Sequence, residues 1–274
     1  MTYHERPARG ELTPYVRKIW YLEAPRPAPR EKILPMPYVH FIVNLADPYR
    51  LLNDDGECVQ EFDAGFVSGI QPRYLVIEDP ELLRHVGIEF EPYGLGPFTN
   101  TPPTALTTSV RASEEILAGS RALRDALHGC DPDTACDRLE EFLCALPRRS
   151  AAHDDRVAAA CRLIAADPDV EIPRIAAATG ATHRGLIELF RRECGITPKA
   201  YADVVRFHRF LAELPLDGPL PTWTDLVAHS SYYDQSHFIH TFRRFTGFTP
   251  SRYLELVAEL GRDYAHFVPL AERA

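Results

Sequence analysis

The feature that most constrains this chain is a duplication in its second half. GlyIleThrProLysAlaTyr at 195–201 returns as GlyPheThrProSerArgTyr at 247–253. In each copy a glycine able to end one helix is followed by Thr-Pro, which can cap and begin the next. Ahead of each exit lies the grammar of two short helices joined by a tight turn. In the first unit, residues 172–193, IleProArgIleAlaAlaAlaThr precedes GlyAla and ThrHisArgGlyLeuIleGluLeuPhe. Ala176 is small enough for close helix crossing, Gly180 suits the positive φ of the turn, and Thr182 is a good N-cap. In the second, residues 223–245, TrpThrAspLeuValAlaHisSer precedes SerTyrTyr and AspGlnSerHisPheIleHisThrPheArgArgPhe, with Asp234 as the cap.

Spacing sorts the faces of the two second helices. Leu186 and Phe190, then Phe238 and Phe242, stand at i, i+4 and point inward. That leaves His183, Arg184, Ile187, Glu188 and Arg191 outward in the first unit, and Gln235, Ser236, Ile239, His240 and Arg243 in the second. A helix from Pro198 to Leu214 would set the two outer helices about 34 Å apart, the spacing of successive major-groove faces. Arg191, Arg192, Arg243 and Arg244 fall at the same place in the repeat and are suited to phosphate, as is Thr182 at the helix start.

The first half follows a different period. Short apolar runs at Tyr15–Leu22, Tyr38–Leu45, Tyr49–Leu52, Gly65–Ile70, Tyr74–Ile77 and Leu83–Phe90 read as antiparallel strands of a small barrel or jelly roll. AsnAspAspGly at 53–56 supplies a hairpin turn, and the prolines of 24–30 make that stretch an exposed loop. From Ser113 two amphipathic helices follow, and ProArgArgSer at 147–150 is the expected boundary between a domain at 1–150 and one at 151–274. The fold class is therefore α+β, with an all-helical second domain.

Charge limits how such a chain can meet nucleic acid. The net charge is -9; residues 1–150 carry 16 Lys and Arg against 23 Asp and Glu, and residues 151–274 carry 14 against 16. Neither half is basic, so DNA affinity has to come from a local arginine stripe. Cys58, Cys130, Cys136, Cys144, Cys161 and Cys194 are scattered without zinc-ligand spacing and read as reduced thiols. No apolar run reaches the length of a membrane span, and MetThrTyrHisGluArg lacks a secretion core, so a cytoplasmic, nucleoid-associated protein is expected.

Residues 157–254 resemble the DNA-binding domain of the AraC/XylS family of transcription regulators, most specifically at AspGlnSerHisPhe, 234–238, and PheArgArgPheThrGlyPheThrPro, 242–250. The resemblance implies a reader of double-stranded DNA, with base contacts at Arg184, Ile187 and Glu188 in the first unit and at Gln235, Ser236, His240 and Arg243 in the second. Ile187 and Glu188 depart from the long polar or basic side chains common there, Gly185 lies inside the first reading helix, and Ser231 replaces the usual turn glycine. Glu188 suits a hydrogen bond from cytosine N4 and equally suits repulsion from phosphate. GluLysIleLeuPro at 31–35, PheIleValAsnLeu at 41–45 and GlyIleGluPheGluProTyrGly at 87–94 resemble the cupin-like sensor domain of actinobacterial-type members. That resemblance implies a small-molecule effector, a homodimer through the N-terminal domain, and RNA polymerase as a further partner.

Tyr38, His40, Tyr74 and Tyr93 are the candidates to line an effector pocket, against the plainer reading of strand aromatics as core. His40 and His85 lack a His-x-His arrangement with a following glutamate, so neither metal nor cofactor is expected. Two other functions were weighed: a dimerising adaptor whose DNA-binding domain has degenerated, and a DNA-repair alkyl acceptor. The latter needs an activated cysteine, and Cys58 stands beside Glu57 with no neighbouring cation to lower its pKa. No catalytic constellation is present, and the expectation is a regulator, not an enzyme.

Overall fold

The computed structural model describes residues 1–148, 154–214, 235–261 and 264–270. Strands β1 (Thr2–Arg6), β2 (Val16–Pro25), β3 (Arg30–Ile33), β4 (Val39–Asn44), β5 (Tyr49–Leu52), β6 (Cys58–Phe62), β7 (Gly65–Ser68), β8 (Leu75–Glu78), β9 (Leu82–Phe90) and β10 (Val110–Ala112) build the first half. Helices α1 (Ser113–Ile116), α2 (Ser120–Leu127) and α3 (Pro132–Ala145) follow, then α4 (Asp155–Ala166), α5 (Ile172–Ala178), α6 (His183–Cys194) and α7 (Pro198–Ala212). After them come α8 (Gln235–Thr246), α9 (Pro250–Leu260) and a last strand, β11 (Phe267–Leu270).

The strands form two facing antiparallel sheets, in the order β1-β2-β9-β4-β7-β10 and β11-β3-β8-β5-β6. The first is a middle layer. One face of it, from Ile19, Tyr21, Phe41, Val43, Val86, Ile88 and Phe90, joins the core shared with Leu123, Leu127, Leu139 and Leu143 of α2 and α3. Its other face meets the second sheet through a smaller cluster of Tyr49, Phe62, Phe66, Ile77 and Val110. Burial on both faces explains why β9 reads as an almost continuous apolar run where one-sided sheets alternate.

Strands outside the sequence expectation are short and mostly polar: β1 is ThrTyrHisGluArg, β3 is ArgGluLysIle and β6 is CysValGlnGluPhe. The proline stretch is a loop only at 26–29, because β2 extends to Pro25 and β3 starts at Arg30. The 147–150 boundary falls partly outside the described residues. The helical expectation for the second half holds through Leu260, and β11 departs from it. There PheValProLeu crosses back to pair with β3, from Phe267 opposite Ile33 to Leu270 opposite Arg30. Val268 is fully buried in that position, and the Tyr253 hydroxyl donates to the Ala265 carbonyl at 2.6 Å, tying α9 to the approach.

Candidate nucleic-acid interface

The first helix-turn-helix unit is built as its sequence requires. Gly180 takes φ +67° in the turn, and the Thr182 hydroxyl accepts the Gly185 N–H at 3.0 Å to cap α6. A Cβ at position 185 would stand 3.0 Å from that hydroxyl, so the glycine in the reading helix keeps the cap open. Leu186 and Phe190 are fully buried, and Phe190 packs on Tyr201 of α7 with ring centroids 6.0 Å apart. His183, Arg184 and Glu188 are exposed and Ile187 is half-buried.

Both exits are duplicated in three dimensions as well. Gly195 and Gly247 take φ +80° and +70°. Thr197 accepts from the Ala200 N–H at 3.2 Å and Thr249 from the Arg252 N–H at 3.3 Å, each just before a proline that opens the next helix. Phe238 and Phe242 are buried in α8 and stack through Phe210 and Phe207 of α7, so α7 carries both reading helices. Ser236 and His240 are exposed, as are Arg243 and Arg244. Gln235 opens α8, its side chain lying outside the described residues. So do the first helix of the second unit from Trp223, together with Ser231 and Asp234.

The charges on this face are partly self-compensated. Arg184 Nε donates to Glu188 Oε1 at 2.9 Å, and Arg192 pairs with Glu193 at 2.8 Å and lies 3.9 Å from Asp154. Arg244 lies over the Phe245 ring at 4.6 Å and 3.9 Å from Asp203. Arg191 and Arg243 hold no ion pair among the described residues. Two exposed arginines at equivalent positions, one per unit, are therefore the cations most available to phosphate.

The reading domain is held against the double sheet at several points. The Thr107 hydroxyl donates to the Gly195 carbonyl at 2.9 Å, and a Cβ on Gly195 would strike the Pro103 carbonyl. Lys32 Nζ donates to the Thr246 carbonyl at 3.2 Å, between the rings of Tyr74 and Phe248 at 4.1 and 4.0 Å. Burial pulls this lysine down to about 8. His208 of α7 meets Tyr38 at 5.5 Å and His266 at 4.6 Å. Both exit glycines thus touch the first half of the chain.

The four effector candidates are not gathered in one place. Tyr38 and His40 are neighbours, 6.4 Å apart, with Arg17 over Tyr38 at 4.2 Å and Glu89 3.8 Å from His40. Tyr74 belongs to the Lys32 contact instead. Tyr93 is buried, which pushes its hydroxyl up to about 12. A group the sequence reading passed over lies between the sheets. Tyr49 and His85 are hydrogen-bonded at 2.6 Å, Trp20 stands edge-on to His85 at 4.8 Å, and two unpaired carboxylates, Glu31 and Asp79, lie nearby. Burial drives His85 down to about 3, so its ring is neutral. Among the described residues no three His, Cys, Asp or Glu side chains are placed to hold a metal ion.

Comparison with known proteins agrees with the two-part layout. A helix-turn-helix domain family matches residues 175–255, and a domain family of unknown function matches residues 4–111. No curated protein matches. A probable AraC family transcriptional regulator from Rhodopseudomonas palustris is 26% identical, covering 37% of this chain and 96% of its own, at a TM-score of 0.34. ToxT from Vibrio cholerae is 10% identical over 93% of this chain and 98% of its own, at a TM-score of 0.49. Among the described residues no helix is long and apolar enough to cross a membrane.

Proposed function

Residues 175–255 of this chain are a helix-turn-helix domain of the AraC type, and from that premise we propose that the protein is a sequence-specific transcription regulator reading two adjacent major-groove segments. The observation that carries the reading is the arrangement of α6 and α8. Both pack on one helix, α7, through buried Phe190, Phe238 and Phe242, and both turn an exposed polar face outward. In the bound state Arg184, Ile187 and Glu188, then Gln235, Ser236, His240 and Arg243, meet base edges, while Thr182, Arg191, Arg192 and Arg244 meet phosphates.

The N-terminal double sheet acts as the sensor in this reading. Its hold on Gly195, Thr246 and β11 gives an effector a physical route to the reading helices, because a change in the sheets moves the supports of both exits. The protein would act as a homodimer through its N-terminal domain at promoters in the cytoplasm, with RNA polymerase as partner. The test is binding of the full chain to DNA from its own upstream region, against a scrambled duplex, with His240→Ala and Arg243→Ala as variants. Preference for the native duplex, weakened by either substitution, supports the reading. No preference for either duplex favours the adaptor reading, to which the Arg184–Glu188 pair in the first unit lends some weight.

A further inference from the structure

The polar group between the two sheets is not explained by packing. Asp79 is 3% exposed, and its Oδ2 atom is buried with no hydrogen-bond partner. Its nearest cation does not neutralise it: the Arg26 guanidinium donates to the Asp79 backbone carbonyl at 2.6 Å. Glu31, on β3 opposite Ile77 of β8, faces the same space and has no ion pair among the described residues. Burial and mutual repulsion hold both acids far above the usual carboxylate range, Glu31 at about 7 and Asp79 at about 8. An unpaired buried carboxylate costs several kcal/mol or retains its proton, and a pair of them has no structural benefit that Asn, Gln or an aliphatic residue would not provide better.

The rest of the wall suits a small guest. Trp20 lies across the strand position where β9 carries Gly87, and a Cβ there would come within 2.6 Å of the indole. The indole thus occupies room that only glycine leaves, with its edge turned toward the neutral His85 ring. Tyr49 closes the floor by its bond to His85. Trp20 and Glu31 both keep part of their surface open, so the group is reached from the side where β2 and β3 approach the ends of their sheets. Two carboxyls, an aromatic face and neutral hydrogen-bonding groups form the set that recognises an organic cation, through charge-assisted hydrogen bonds and cation–π contact.

We propose that the space between the sheets, bounded by Trp20, Glu31, Tyr49, Asp79 and His85, binds the head group of a small organic cation, an alkyl- or arylammonium. This names the effector class of the sensor and rests on the regulator reading above. The cation supplies the donors that Asp79 and Glu31 lack and ionises both, so binding releases protons. The signal has a short path, because Glu31 pairs in register with Pro269 of β11, the strand that returns from the reading domain.

Calorimetry on the full chain, with butylammonium, benzylammonium and putrescine as probes and butanol and butyrate as controls, tests it without DNA. The expected result is saturable binding of at least one ammonium, proton release seen as a dependence of the heat on buffer ionisation enthalpy, and no binding of either control. Asp79→Asn and Glu31→Gln should each weaken binding by about tenfold or more, the loss of one charge-assisted contact. Both variants remove a buried unpaired charge, so they should keep or raise the melting temperature and separate lost binding from lost folding. Absence of ammonium binding, or binding that is unchanged in the double variant, overturns the proposal. Because DNA binding is measured separately, that failure leaves the regulator reading standing.

Discussion

Glu188 decides how the first reading helix meets DNA, and Glu188→Gln isolates its effect. The Arg184 and Glu188 side chains are 90% and 62% exposed, so their i,i+4 pair stabilises the free protein by only about 0.3–0.5 kcal/mol. Thermal unfolding should therefore shift by no more than a degree or two. On DNA the consequence is larger and of opposite sign. The substitution removes one negative charge from the groove-facing surface and releases Arg184 from its partner. At a few ångströms in a largely aqueous setting, relief of one like-charge contact is worth about 1 kcal/mol, or about fivefold in Kd. If the freed Arg184 takes up a phosphate, the slope of log Kd against log salt steepens by about 0.9. Fluorescence anisotropy of a labelled upstream duplex, over a salt series, reads both quantities. Weaker binding in the variant, with relaxed preference at a single C·G pair, would refute this reasoning and make Glu188 a cytosine reader.

Other expectations follow from the packing. Val268→Ala removes a fully buried side chain from β11 and should cost about 1–2 kcal/mol in denaturant unfolding, an unchanged midpoint showing that the strand is not docked in solution. Thr249→Ala deletes the cap of α9 and should cost about 1 kcal/mol by the same measurement, with Thr249→Ser restoring most of it. Unfolded Glu31 and Asp79 lose their protons near pH 4, whereas the folded chain holds them to about 7 and 8. Between those limits the folded state binds more protons, so these two groups make stability fall as pH rises from about 4 to 8 and stay level above that. Asp79→Asn should flatten that decline, and above pH 8 it should exceed the wild type by something on the order of a few kcal/mol; chemical denaturation across pH 5–9 checks it.

The helical half was legible because its signals are local. Thr197 and Thr249 cap their helices as their position before proline implies, and Leu186, Phe190, Phe238 and Phe242 are buried as the i, i+4 spacing requires. The strand Tyr49–Leu52 was found to the residue, since apolar alternation and a following AsnAspAspGly turn fix both ends. What escaped depends on pairing between distant segments. Strand β11 is four residues with a central proline, and it exists only because β3 offers an edge. The carboxyl pair was invisible for the same reason: Glu31 and Asp79 are brought together by the β3–β8 ladder, and neither has a motif around it. Tyr38, His40, Tyr74 and Tyr93 were chosen by aromatic alternation, which marks a strand's faces without saying which face holds a site.

The central claim, that α6 and α8 read DNA, is met most directly by comparing the full chain with Arg191→Ala/Arg243→Ala on its upstream duplex and on a scrambled one, from 50 to 200 mM salt. The expected result is specific binding by the wild type that falls with salt, and a double variant weaker on both duplexes with a slope shallower by about 1.8, one unit of 0.9 for each lost phosphate contact. Equal binding to both duplexes by the wild type, or a slope untouched by the double substitution, would contradict it.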